Sequence, residues 1–341
     1  GLSALVSLGD TLEIEYNFLQ TSIGLNNLNS LGTVIINKLP ALISIAGLSN
    51  NIDSIGGVLI DSTSLTSLNG LGSVVFMDGY LEIRYSPIVN LGDLTNLTAI
   101  NGYLRLENLP SLGSIGLTNL ESVFGFLFSD LNNLTSLSGL TNNLTTTNIG
   151  TFWLINTGIT NFTGFEGITS CANFYIWLNP NLTSLQGLQN ISGDISQGIS
   201  LWANDALTNI TSLSSITSIS NGELDLHGNN LLSDLTGLGN IITIGKRFRV
   251  YENPVITSLG FLNTTLDIQD IDNEGVEIRD NTQLSLCSFT PLCNFLNAGG
   301  IADIQNNAAG CNSIPEILAT CNSCTGGTLK TWTGSTGADW N

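Results

Sequence analysis

Few residues in this chain could do chemistry, and their spacing is informative. His227 is the only histidine. No Gly-x-Ser-x-Gly elbow or Cys–His pairing accompanies it, so the parts for nucleophilic catalysis are missing. A carboxylate pair that cleaves glycans is the one catalytic arrangement left open, and the chain is read as a non-enzyme. Asp270, Asp272 and Glu274, in Asp270-Ile-Asp-Asn-Glu-Gly275, alternate like the opening of a calcium loop, where carboxylate oxygens suit a hard cation. The twelfth position, normally acidic, is Asn281. Cys287, Cys293, Cys311, Cys321 and Cys324 crowd together near one end, while Cys171 stands alone. The cluster predicts a disulfide-tied cap made in an oxidising compartment, with its pairing open, and Cys171 is expected to be a buried free thiol.

The aromatic residues form the most ordered set. Trp177, Trp202, His227 and Tyr251 each stand five residues before a recurring leucine or isoleucine, and Tyr175 and Arg249 stand two residues earlier still. On a strand, positions two apart share a face. The six residues therefore predict one exposed stripe, either stiffening a sheet by cross-strand stacking or meeting a partner chain or a glycan.

That stripe needs repeated strands to carry it. The stretch from Gly79 to Gly125 states one phrase twice, Gly-Tyr-Leu-Glu-Ile-Arg and then Gly-Tyr-Leu-Arg-Leu-Glu, each followed by a Leu-Thr-Asn-Leu phrase. Self-similarity at this period marks a solenoid. Anchors recur at Leu42, Leu65, Ile88, Leu112, Leu134, Ile159, Leu182, Leu207, Leu232, Ile256 and Leu284, with a degenerate copy near Leu19. The expected fold is an all-β solenoid of about 12 rungs of 22–25 residues, its parallel strands stacked and its leucines buried in columns. Asn179, Asn204, Asn229, Asn253 and Asn281 each precede an anchor by three residues. They predict an asparagine ladder at a corner, where Asn also tolerates left-handed backbone angles.

The repeat region spans 1–284. A Cys-rich cap at 285–324 follows, with a short helix after Cys287, a last strand near Ile301–Ile304, and a second helix capped by Ser313 with Glu316 completing a capping box. An end cap is what a solenoid needs to cover its last rung. Residues 325–341 read as a linker and the start of a following module. The chain opens on Gly1, which predicts a processed product or a segment of a larger one. Only 8 Lys+Arg stand against 27 Asp+Glu, a net charge of −19, so nucleic acid and anionic lipid are repelled. No run of 18 apolar residues occurs, so membrane insertion is not expected. Eight Asn-x-Ser/Thr sequons fall largely out of the repeat itself.

The repeated phrases Leu-Glu-Ile, Leu-Thr-Ser-Leu-x-Gly-Leu and Asn-Leu-Thr-x-Ile resemble the receptor L-domain family of leucine-rich solenoids. The cap, from Leu292-Cys-Asn-Phe-Leu to Cys321, and the segment Trp332-Thr-Gly-Ser-Thr-Gly-Ala-Asp-Trp340 resemble parts of large secreted bacterial surface proteins. The resemblance implies a non-enzymatic structural or adhesive module of a large extracellular protein. Its partners would be other protein chains or modules, a sister copy in a homo-oligomer, or a cell-surface glycan. It implies no catalytic residues, and no N-terminal Cys-rich cap is present to carry over receptor-style ligand binding. A third reading, ice binding, comes from the outward row Thr66, Thr135, Thr160, Thr183, Thr208 and Thr257, interrupted by Val89, Gly113 and Ser233.

Overall fold

Alternation within each repeat sends Leu-x-Ile-type pairs inward and the residues between them outward, and stacking copies builds one long sheet. In the computed structural model, which describes residues 4–48, 51–140, 144 and 149–325 with side chains to Cys321, the main sheet runs in chain order from Leu12–Glu15 to Ala302–Gln305. Neighbouring strands pair in parallel throughout. The rest of each rung is mostly turns, with short two-stranded parallel pairs such as Ser22–Leu25 with Ser44–Leu48, and 3-10 turns such as Thr236–Leu238. The chain is a leucine-rich parallel β-solenoid. All eleven anchors from Leu42 to Leu284 are fully buried. In the middle rungs the column widens into a phenylalanine cluster in which Phe126, Phe152 and Phe165 meet at 5.0–6.0 Å between ring centres.

The degenerate first rung differs from the expectation. Pairing of Leu12–Glu15 with Val34–Asn37 puts Gln20, not Leu19, in register with Leu42. Leu19 is 89% exposed. The leucine nearest the anchor position therefore falls one residue short of it and points to solvent.

The corner after each strand explains the asparagines, with one correction. The left-handed residue is the one directly after the strand, such as Leu178, Ala203, Glu252 and Asp280, with φ between 53° and 58°. This bend costs ~1–2 kcal/mol per non-glycine residue. It aims the residue's N–H at the next rung, where Leu178 donates to Trp202 O and Ala203 to His227 O, both at 2.8 Å. The asparagine comes one position later and serves through its side chain. All five predicted ladder residues are completely buried. The Oδ1 of each accepts the main-chain N–H of the rung before, as in Asn204 N to Asn229 Oδ1 at 3.1 Å, and its Nδ2 donates to that rung's strand carbonyl, as in Asn229 to Leu201 O at 2.8 Å. The ladder runs further than the anchors indicated, beginning at Thr157 and ending at Asn307.

The cap continues the sheet before it closes it. Ala302–Gln305 pairs with Val276–Arg279, flanked by helices α1 (Thr290–Asn297) and α2 (Ile314–Thr325). Pro291 sits in the first turn of α1, where its missing N–H costs nothing. Ser313 caps α2 by accepting from Glu316 N at 3.4 Å. The capping box does not close, because the Glu316 carboxylate accepts from Gly310 N and Asn312 N instead. Cys287 bonds to Cys311 and Cys293 to Cys321, tying the last turns together and α1 to α2. The side chain of Cys324 and residues 326–341 lie outside the described residues. Cys171 is a free, buried thiol that donates to Asn173 O at 2.7 Å, and burial pushes its pKa up to about 12.

Candidate functional site

Parallel in-register stacking places equivalent outward residues in one line along the solenoid. Trp177, Trp202, His227 and Tyr251 are direct cross-strand neighbours, continued by Ile155 before them and Arg279 after them. Ring centres follow at 5.7 Å, 5.5 Å and 4.4 Å, with Trp202 on His227 and His227 on Tyr251 nearly parallel at 13° and 24°. The Arg279 guanidinium closes the pile 4.0 Å over the Tyr251 ring. Tyr175 packs edge-on against Trp177 at 5.5 Å. Trp177 meets Trp202 edge to face at 70°, and the later rings of the row stack face to face. Trp202 remains 37% exposed, while Tyr175, Trp177, His227 and Tyr251 are half-buried.

Two members escaped the sequence reading. Trp153 lies beside Tyr175 at 5.6 Å and stacks on Trp177 at 6.5 Å. In its rung the corner is one residue shorter, Ile155 standing four residues before Ile159, so counting from the anchor gives Trp153 the wrong face. Arg279 stands five residues before Leu284, at stripe spacing, but escapes a search for aromatic residues.

Arg249 is on the same face, and other charges hold it. Its Nε bonds Glu277 at 2.7 Å and its Nη1 lies 3.5 Å from Asp225. It fixes the floor of the stripe rather than presenting a free cation. Beneath Trp177, whose Nε1 donates to Ser200 Oγ at 2.9 Å, that hydroxyl faces Asp225 at 3.5 Å. Asp225 is only 8% exposed, and its Oδ1 has no hydrogen-bond partner among the described residues. Burial pushes its carboxyl up to about 6 although Arg249 pulls it down, with Glu223 and Glu277 adding to the rise. His227 is held below its ordinary range by burial, with Glu252 at 3.3 Å opposing. It therefore stacks as a neutral ring at neutral pH.

Asp225 yields a pH prediction. A folded pKa above the unfolded ~3.9 means the native state holds the proton longer, so stability falls as pH rises through about 6. The loss attributable to Asp225 is at most about 3 kcal/mol. Urea unfolding at pH 4 and pH 7.5 is expected to show a drop for the native protein that Asp225→Asn removes by roughly 2 kcal/mol. Equal pH dependence in both proteins would contradict the burial of this charge.

The acidic loop does not gather its carboxylates. Asp270 Oδ1 accepts from Gly275 N at 2.7 Å inside the loop, whereas Asp272 pairs with Lys246 at 3.3 Å and Glu274 with Arg247 at 2.9 Å. Among the described residues no group of three or more His, Cys, Asp or Glu is placed to hold a metal ion. In the threonine row, Thr160, Thr183 and Thr208 are exposed and linked rung to rung, Thr183 Oγ1 donating to Thr160 O at 3.2 Å and Thr208 Oγ1 to Thr183 O at 3.4 Å. No helix among the described residues is long and apolar enough to cross a membrane.

No family model matches the chain, and no curated protein sequence matches it. Among solved structures it is similar to an internalin (inlF) from Listeria monocytogenes, with 16% identity and a TM-score of 0.45, covering 84% of this chain and 74% of that one. So distant a likeness carries no functional inference, and what the chain binds has to be read from its own residues.

Proposed function

We propose that this chain is a non-enzymatic adhesion module that binds a protein partner through the stripe from Trp153 to Arg279. One observation carries the reading. Ring faces are taken up largely within the row, Trp153 on Trp177, Trp202 on His227, His227 on Tyr251 and Tyr251 under Arg279, while Trp177 and Trp202 meet edge to face. A sugar stacks on an open aromatic face, whereas a rigid row of packed aromatic rings, cheap in side-chain entropy, suits protein contact. Beside Trp202 stand Glu252 and Asp280, on a chain with a net charge of −19, so the partner's complementary surface is basic and a sister copy meets like charge. The two disulfides of the cap support an extracellular setting. Membership of a larger bacterial surface protein rests on the sequence resemblance alone.

The test is adhesion of beads coated with the chain to extracellular-matrix and cell surfaces. Proteinase treatment of the surface should abolish adhesion and glycosidase treatment should leave most of it. Trp177→Ala with Trp202→Ala should lower adhesion at least tenfold, with circular dichroism and melting close to those of the parent. Adhesion indifferent to the double change would reduce the stripe to sheet stiffening. Sedimentation of parent and variant checks self-association, which should be absent in both.

A further inference from the structure

A second binding feature lies on the same face, one rung before the stripe. The strand Ser122–Leu131 turns Gly125, Leu127 and Ser129 outward between longer neighbours, Tyr103, Arg105 and Glu107 on one side and Trp153 and Ile155 on the other. Its short side chains leave a groove of about 240 Å³ lined by Arg105, Glu107, Leu127, Ser129, Trp153 and Ile155. The flanking strands lie two strand spacings, about 9–10 Å, apart.

The walls differ in chemistry. On one, Arg105 Nη2 donates to Glu107 Oε2 at 2.7 Å, Arg105 Nη1 lies 3.3 Å from Glu82, and Tyr85 Oη donates to Glu107 Oε1 at 3.1 Å. The pair is fixed in orientation, and Arg105 keeps 39% of its side chain exposed. A guanidinium has five N–H donors, so further donors stay available beside carboxylate acceptors. The opposite wall is the Trp153 indole, 41% exposed and braced from behind by Tyr175 and Trp177. On its other side the preceding rung places no ring against the indole, because Leu127 and Ser129 are too short to stack on it. Leu127 and Ile155 supply an apolar floor.

We propose that this groove binds one hexopyranose ring of a neutral glycan. A pyranose has an apolar C–H face for the indole and floor, and vicinal hydroxyls that accept from Arg105 and donate to Glu107. Charge narrows the class. Two carboxylates already compensate Arg105, so no free cation awaits a uronate, sialate or phosphate. The volume falls below the ~300–1,000 Å³ of pockets for drug-sized molecules, which fits a single ring. This site shares Trp153 and its strand neighbour Ile155 with the end of the stripe and otherwise lies on the rungs before it.

The experiment is a tryptophan-fluorescence and NMR titration of the chain with methyl pyranosides of glucose, galactose and mannose, an N-acetylhexosamine, and glucuronate. At least one neutral pyranoside should bind saturably, with a Kd on the order of 1 mM, and glucuronate should bind at least tenfold more weakly. Trp153→Ala and Arg105→Ala should each weaken binding tenfold or more. Because Arg105→Ala also opens ion pairs, Ser129→Trp gives an independent check, since it fills the groove while keeping every wall residue and should abolish binding. Absence of saturable binding of any neutral sugar up to ~50 mM, or binding unchanged by Ser129→Trp, overturns the assignment.

Discussion

Leu207→Asp is expected to destroy the cooperative melting of the central rungs. Leu207 is fully buried in one column with Leu182 and Leu232, also fully buried. Removing the side chain alone costs ~2–5 kcal/mol, and the carboxylate adds an unpaired charge in a dry core. The sum approaches the ~5–15 kcal/mol that stabilises an ordinary domain. A solenoid distributes the damage in a characteristic way, because each rung touches only its neighbours. Hydrogen exchange should accelerate most in the strands Asn173–Trp177, Gly198–Trp202 and Glu223–His227, and fade toward Leu12–Glu15. A melting temperature within two or three degrees of the parent, with protection intact in those strands, would be incompatible with this core.

The repeat made most of the fold legible, because a 22–25-residue period leaves one economical way to bury its leucines. What escaped was register. The degenerate copy placed near Leu19 has Gln20 at the anchor position, and Trp153 was missed because the corner of its rung is one residue shorter, which in a strand exchanges inside for outside. The left-handed angle was assigned to the asparagine, although it belongs to the preceding residue, whose identity varies from Lys38 to Leu178 to Asp280. Asn, Asp or Gly stands there in only some rungs, such as Asn108, Asp130 and Gly228, so the sequence signal is uneven, while the stacked hydrogen bonds hold the bend at Asn108, Leu178, Gly228 and Glu252 alike. The Asn307 end of the ladder had no anchor leucine to reveal it.

The candidate site was half legible. Spacing alone aligned Trp177, Trp202, His227 and Tyr251, and the rings do meet. It could not say that Arg249 is engaged by Asp225 and Glu277, because ion pairing depends on side-chain reach across rungs 24 to 28 residues apart. Nor could it show that short residues on one rung open a groove beside Trp153, since a groove is a difference between neighbouring rungs and a consensus averages such differences away. The same loss explains the acidic loop, where alternation of Asp270, Asp272 and Glu274 looked like a ligand set but the turns aim each carboxylate at a different partner.

Asn229→Ala is expected to cost about 3 kcal/mol or more, far beyond the effect of an exposed corner change. Asn229 is fully buried, and its amide serves three rungs at once. Its Oδ1 accepts from Asn204 N, and its Nδ2 donates to Leu201 O at 2.8 Å, His227 O at 3.1 Å and Asn253 Oδ1 at 3.3 Å. Alanine leaves Asn204 N–H without that acceptor in a site closed to water, at ~1–3 kcal/mol for each orphaned group, and adds a cavity. His227 O still accepts from Ala203 N, so the carbonyl side loses less. Earlier rungs show that a hydroxyl can do part of the same work, because Thr63 N donates to Ser86 Oγ at 3.2 Å at the equivalent corner. Asn229→Thr should therefore recover a measurable part of the stability that Asn229→Ala loses, although threonine packs no larger a group into the corner than asparagine does. Chemical denaturation of the three proteins separates the two causes. Equal losses for alanine and threonine would mean that packing, not hydrogen bonding, holds the corner, and the ladder would then be a consequence of the fold rather than one of its supports.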